Sequence, residues 1–210
     1  MAVSKEELEA RRLPSQQRAA YVNQMVAQAF APHQNSFQQR VQAVVSDNSS
    51  SKTKMYKLQQ IMSDVRAFSA PYAACKAGCS NCCHMRVLIS QTEANAIGEA
   101  IGVKAAQLPF GTPVKAEDDF GRNSPCTFLL HDKCSIYANR PVQCRNYINI
   151  DVDPLLCSYE NWDLAKKRDP ASVGVPMLGA APIMSAYQMV SNGKSEVYND
   201  IRAFFPGGSI

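Results

Sequence analysis

The sequence predicts a mainly α protein: helices around a central, loop-rich region whose cysteines are spaced as metal ligands. Three observations carry this. Apolar residues recur at helical spacing in the first and last thirds of the 210 residues. No segment shows the sustained alternation of a large sheet. All eight cysteines fall between positions 75 and 157, in stretches interrupted by glycine and proline.

The elements follow in order. Val22, Met25, Val26, Ala29 and Phe30 lie on one face of a helix that Pro32 breaks. Phe37, Val41, Val44 and Val45 resume the pattern, and "SDNSSSK" at 46–52 reads as a loop. Leu58, Ile61, Met62, Val65 and Phe68 form a third stripe before Pro71. Ser90 with Glu93 three residues on is the pattern of a capping box, opening a helix lined by Ala94, Ile97 and Ile101. Residues 104–125 read as irregular. Pro141 suits the first turn of a short helix carrying Cys144 and Arg145. Two helices are expected in the tail, one over Ile183, Met184, Tyr187 and Val190, the other over Val197, Tyr198, Ile201 and Phe204. This divides the chain into a slightly basic helical region (1–70), a cysteine region (71–160) and a helical segment (161–210) packing on it, expected as one unit.

Composition narrows the chemistry. The chain is 46% hydrophobic and 19% charged, that of an ordinary globular protein with a real core. Its start, "MAVSKEELEARR", lacks the apolar run of a secretory signal, and no stretch approaches the ~18 apolar residues of a membrane span. The expected location is the cytoplasm, where thiols stay reduced. Eight cysteines there point to metal binding or redox chemistry rather than a disulfide framework. The net charge of +4 is carried by residues 1–70, with nine Lys/Arg against five Asp/Glu. With no long basic run, that asymmetry reads as a solvated helix surface, and an acidic protein or nucleic-acid partner bound through 1–70 is the alternative.

The cysteines form two groups: Cys75, Cys79, Cys82 and Cys83, then Cys126, Cys134, Cys144 and Cys157. Soft thiolates select zinc, copper(I) or iron–sulfur centres over magnesium or calcium. Cys79 and Cys82 have chelating spacing. The adjacent pair Cys82–Cys83 is awkward for one tetrahedral ion, because neighbouring side chains diverge. Two centres, or one polynuclear cluster, accommodate it better. The second group is separated by seven, nine and twelve residues, so each thiol needs its own loop or helix end. Four thiolates around a dication carry net charge −2, and Lys76, Arg86, Lys133, Arg140 and Arg145 sit close by in sequence. Arg140 and Arg145 are the candidates to support the ligands. His84 and His131 are candidate non-cysteine ligands. Tyr137 and Tyr147 are expected to pack around the site, and Trp162 to anchor the tail against it through a bonded N–H.

"CKAGCSNCC", then "CTFLLHDKCSIYANRPVQCRNY", then Cys157 resembles the YkgJ-type cysteine-cluster family. Its pattern is C-x3-C-x2-C-C, a C-x-F-L…C-x-I-Y…R-P-x-x-C-R segment and a final cysteine. Phe128, Leu129, Ile136, Tyr137, Arg140, Pro141 and Arg145 match along with all eight cysteines, over about residues 72–160. Thr127 departs from a common proline. The resemblance implies a domain chelating zinc or iron, with the eight cysteines as ligands, and implies no reaction. Flagellin lysine methylases carry a similar domain associated with an iron–sulfur centre. Three functions therefore compete: a metal centre with a structural or regulatory role, a cluster-dependent redox or methyl-transfer enzyme, and a metal-stabilised adaptor or nucleic-acid module. A thiol-redox Cys79-x-x-Cys82 site would leave six cysteines unexplained. No P-loop, G-x-S-x-G or dinucleotide fingerprint is present. The first function accounts for all eight thiols. Spacing does not say which of them share a metal.

Overall fold

The computed structural model describes residues 2–76, 78–179, 181–191 and 196–207. Helix α1 spans Lys5–Phe30. It opens on a reciprocal cap: the Ser4 hydroxyl accepts from the Glu7 N–H, and the Glu7 carboxylate accepts from the Ser4 N–H. Pro14 lies inside this helix on its exposed side. A short 3-10 turn through Pro32, Ala31–His33, redirects the chain into α2, Gln34–Ser46. Helix α3, Ser51–Ser69, starts on Ser50, whose hydroxyl accepts from the Thr53 N–H. The expected loop is thus shortened to 47–50, because one of its serines is a cap rather than a linker residue.

The expected stripes are the buried ones. Val22, Phe37, Val41, Leu58 and Met62 meet Ile148, Ile150 and Ile183 in one core. Ile183 comes from α7, Ala181–Ser191, which lies against α2 and α3. A second core collects Ile89, Ile97, Phe128, Ile136 and Phe204, with Cys126, Cys134 and Cys144 packed on its edge. Ile97 lies on α4, Gln91–Ile101, which ends at Gly102 in the left-handed conformation.

The tail corrects one expectation. Residues Tyr198–Asp200 are a strand, β4, paired antiparallel with β1, Leu88–Ser90, with Ile89 opposite Asn199. Only Ile201–Phe204 is helical, a single turn capped by the Asp200 carboxylate on the Arg202 N–H. Asn199 and Asp200 bind nearby backbone with their side chains, which opposes continuation of a helix through them. A second two-stranded pair joins β2, Leu129–Leu130, to β3, Lys133–Cys134. Its two-residue turn holds His131 and Asp132 at φ of 48° and 59°. Both positive angles suit a hairpin turn that follows strand twist. His131 is therefore a turn residue at an exposed tip.

Two helices complete the cysteine region: α5, Val142–Asn146, and α6, Tyr159–Lys166. Pro141 stands one position earlier than expected, as the N-cap of α5. Apolar spacing marks α6 only weakly; its start is set by the Ser158 hydroxyl accepting from the Asn161 N–H. The expected division between residues 160 and 161 cuts through this helix.

Ser90 and Glu93 make only half of the expected box. The Ser90 hydroxyl accepts from the Glu93 N–H at 3.1 Å, but the Ser90 N–H donates to the Tyr187 hydroxyl. The fully buried Glu93 carboxylate instead accepts from the Val142 N–H at 2.8 Å and from Gln59 at 3.3 Å, tying α4 to α5. Burial raises its pKa. The unfolded chain ionises first as pH rises, so Glu93 stabilises the fold most at low pH, and its contribution is lost as pH passes the raised value. Glu93→Gln is expected to remove that slope and to leave stability at neutral pH unimpaired. Glu93→Ala strands the Val142 N–H and should cost roughly 1–3 kcal/mol. Urea unfolding from pH 5 to pH 8 measures both.

Candidate metal centre

Local backbone explains how each thiol is delivered. Cys75 follows α3 in a turn where the Ala74 N–H donates to the Asn149 carbonyl. Gly78, at φ 90°, turns the chain before Cys79 and would strain any other residue. Cys82 and Cys83 sit in a 3-10 turn, Asn81–His84. Cys126 is held by its N–H on the Cys83 carbonyl at 2.7 Å. The hairpin brings Cys134, α5 brings Cys144, and a 3-10 turn, Leu155–Cys157, brings the last. All eight are free thiols.

Six of them, Cys79, Cys82, Cys83, Cys126, Cys134 and Cys144, line one cavity of about 50 Å³. Phe128, Ile136 and Ile201 give it apolar walls, and Arg140 and Tyr137 also line it. Cys75 and Cys157 lie next to it, joined through Asn149. The Asn149 backbone N–H donates to Cys75 Sγ at 3.2 Å, and its side-chain amide donates to Cys157 Sγ at 3.3 Å. Among the described residues, no three His, Cys, Asp or Glu side chains already stand in position to hold an ion. The fit to a metal therefore rests on the donor set and its surroundings.

Those surroundings favour thiolates once a cation is present. Burial raises the pKa of Cys79, Cys126, Cys134 and Cys144, and brings Cys157 to about 12. Cys82 is lowered because the Cys83 thiol donates to it, and Cys83 is raised in return. A metal would displace these protons and reverse the burial effect. Backbone N–H groups are already aimed at sulfur: Asn81 at Cys79, Phe128 at Cys126 and Ile136 at Cys134. Arg140 stacks over Tyr137 at 4.1 Å, and among the described residues its buried Nε–H finds no partner. An orphaned donor on a cationic group beside six thiols suits an anionic metal–thiolate centre, so the residues present fit the group.

The other expected supports act elsewhere. Arg145 spends its guanidinium on the Arg140 and Ala138 carbonyls and the Ser63 hydroxyl, so it fixes the loop that carries Arg140 rather than bonding sulfur. His84 is buried, with Nδ1 on the Arg122 carbonyl at 3.1 Å and its ring edge-on to Tyr159. Trp162 contacts the region through Tyr159, at 5.7 Å between ring centres. Tyr147 packs beside the thiols, and burial brings its pKa to about 12. Lys76 and Lys133 are exposed, and Arg86 pairs with Glu117.

Arg140→Gln is accordingly expected to weaken metal retention about 10–100-fold in chelator competition, with little change in metal-free stability. Arg145→Gln should lower stability of the metal-free chain as well.

Sequence reasoning missed Asn149, Arg66 and Arg202. Arg66 donates to the Cys75 and Tyr147 carbonyls. Arg202 donates to the carbonyls of Cys83, Met85, Ser124 and Pro125. Arg202 lies 119 residues from Cys83, and Arg66 sits on α3 nine residues before Cys75, where it reads as a helix-surface charge; the position of Asn149 between Cys144 and Cys157 could also have drawn notice. The basic excess of residues 1–70 also has an internal explanation. Lys5, Arg11, Arg40, Lys52 and Lys57 pair with carboxylates. Arg12, Arg18, Lys54 and Arg66 donate to backbone carbonyls. All nine cations are thus engaged within the chain.

The fold and site define a mainly helical protein with a cysteine-rich centre. Residues 74–167 match the family CxxCxxCC, described as "Putative zinc- or iron-chelating domain". No curated protein and no solved structure matches the chain. No described helix is long and apolar enough to cross a membrane.

Proposed function

We propose that this chain is a metal-binding protein whose eight cysteines hold zinc or iron, and that the metal braces the middle of the fold in a structural or regulatory role. The carrying observation is the cavity lined by six thiols from four separate stretches of chain, with Cys75 and Cys157 hydrogen-bonded beside it. Thiols from distant loops that converge on one apolar-walled space gain most from a cation that crosslinks them. Eight protein ligands leave no coordination position open, which favours bracing over a metal-centred reaction. The engaged cations of residues 1–70 give no support to an adaptor or nucleic-acid role.

The test is elemental analysis with an absorption spectrum on protein purified without oxygen. Zinc with no visible colour supports zinc–thiolate sites. Iron with sulfide and a broad visible band lost on oxidation supports an iron–sulfur centre. A chain that carries no metal and takes up neither zinc nor iron defeats the proposal.

A further inference from the structure

Asn149 donates to two cysteine sulfurs at once, with different parts of itself. Its backbone N–H reaches Cys75 Sγ at 3.2 Å, and its side-chain amide reaches Cys157 Sγ at 3.3 Å. The direction of that amide is fixed. Its Oδ1 accepts from the Asp151 N–H at 2.8 Å, so the Nδ2 end, which carries the protons, is the end that faces sulfur. Nδ2 also reaches the Asp153 carbonyl at 3.4 Å. The Asn149 carbonyl accepts from the Ala74 N–H at 2.9 Å, which anchors the residue just before Cys75.

The surroundings hold this arrangement in place. Asn149 is fully buried, and its neighbours Ile148 and Ile150 are part of the first core. Asp151 and Asp153, which bond the amide, are themselves paired with Arg11 of α1. A neutral thiol is a weak acceptor, so a buried amide aimed at one gains little. The same N–H against a metal-bound thiolate makes a charge-assisted bond, which is roughly twice as strong.

We infer that Asn149 is a positioning residue for the metal ligands: it holds Cys75 and Cys157 in one fixed geometry, and its two N–H groups draw charge from their sulfurs once metal is bound. This rests on the metal-binding reading above, and it holds whether the eight thiols share one centre or two.

The full chain, stripped and reloaded with cobalt(II) under reducing, oxygen-free conditions, tests this with two substitutions. Asn149→Asp keeps the acceptor that the Asp151 N–H uses and loses the donor to Cys157. Asn149→Leu loses both and keeps the bulk. Each variant should hold cobalt about 10–100-fold less tightly in chelator competition. In each, the thiolate-to-cobalt charge-transfer band should move to longer wavelength, because a sulfur without its N–H bond gives up electron density more readily. A band that stays at the wild-type position in both variants overturns the inference, whatever happens to retention. So does weakening in Asn149→Leu alone, which would assign the residue to the Asp151 turn. If neither variant folds, wild-type protein loaded with NMR-active cadmium decides. The Asn149 backbone proton and one of its amide protons should show scalar coupling to cadmium through sulfur, and bound cadmium coupled to neither overturns the inference. All these outcomes leave metal binding standing. A wild type that takes up no cobalt, cadmium, zinc or iron overturns the underlying reading instead.

Discussion

Cys144→Ser is expected to release metal and to lower the melting temperature by roughly 10–20 °C. Cys144 packs at the edge of the second core, on a five-residue helix that no isolated peptide would sustain. A metal held by the thiols of this cavity would tie the helix to the loops that carry the others. Metal binding free energy is folding free energy when the site is absent from the unfolded chain. A loss of about 5 kcal/mol corresponds to that shift, at roughly 2–4 °C per kcal/mol for a chain of this size. The decisive comparison adds a chelator. The wild type should fall at least to the melting temperature of the variant, and the variant should lose less than the wild type. Equal melting of the metal-loaded wild type and the variant would refute a bracing role.

The second large effect is expected from Arg202→Ala, a loss of about 3–5 kcal/mol. Arg202 also pairs with Asp200 at 2.9 Å, and the carboxylate side chain is only 5% exposed. Removing the guanidinium leaves a buried carboxylate and four carbonyls short of their donor. Arg202→Lys should recover only part of the loss, because an ammonium lacks the planar fork that reaches several carbonyls at once. Guanidinium unfolding of the metal-free proteins isolates this effect from metal loss. A variant as stable as wild type would show that water replaces the clamp without cost.

What could be read from the sequence divides along physical lines. The helical stripes were legible because burial selects one face, and Val22, Val41, Leu58 and Ile183 are indeed core residues. The match over residues 74–167 was legible because ligand spacing is constrained on a local scale. The strand at Tyr198–Asp200 was not, because its apolar spacing fits a helix, and pairing with Leu88–Ser90 across more than a hundred residues decided otherwise. Arg145 was placed near the thiols by sequence, yet its direction is set by the Ala138 and Arg140 carbonyls, which spacing does not reveal. Glu93 shows the same limit: three residues after a cap, its carboxylate still turned to Val142, because an unpaired N–H there is buried and a cap N–H is not the only donor within reach.

The three arginines that pin the cysteine loops have a consequence for modularity. Arg66 lies before the matched segment, Arg202 after it, and Arg11, from the first helix, pairs with Asp151 and Asp153 next to Asn149. Lifted out alone, residues 74–167 would carry every candidate ligand and none of these braces. A chimera built on the sequence pattern would transplant the donors without their scaffold. A segment cut at the edges of the cysteine pattern is therefore expected to be less stable than the full chain even though every cysteine is retained.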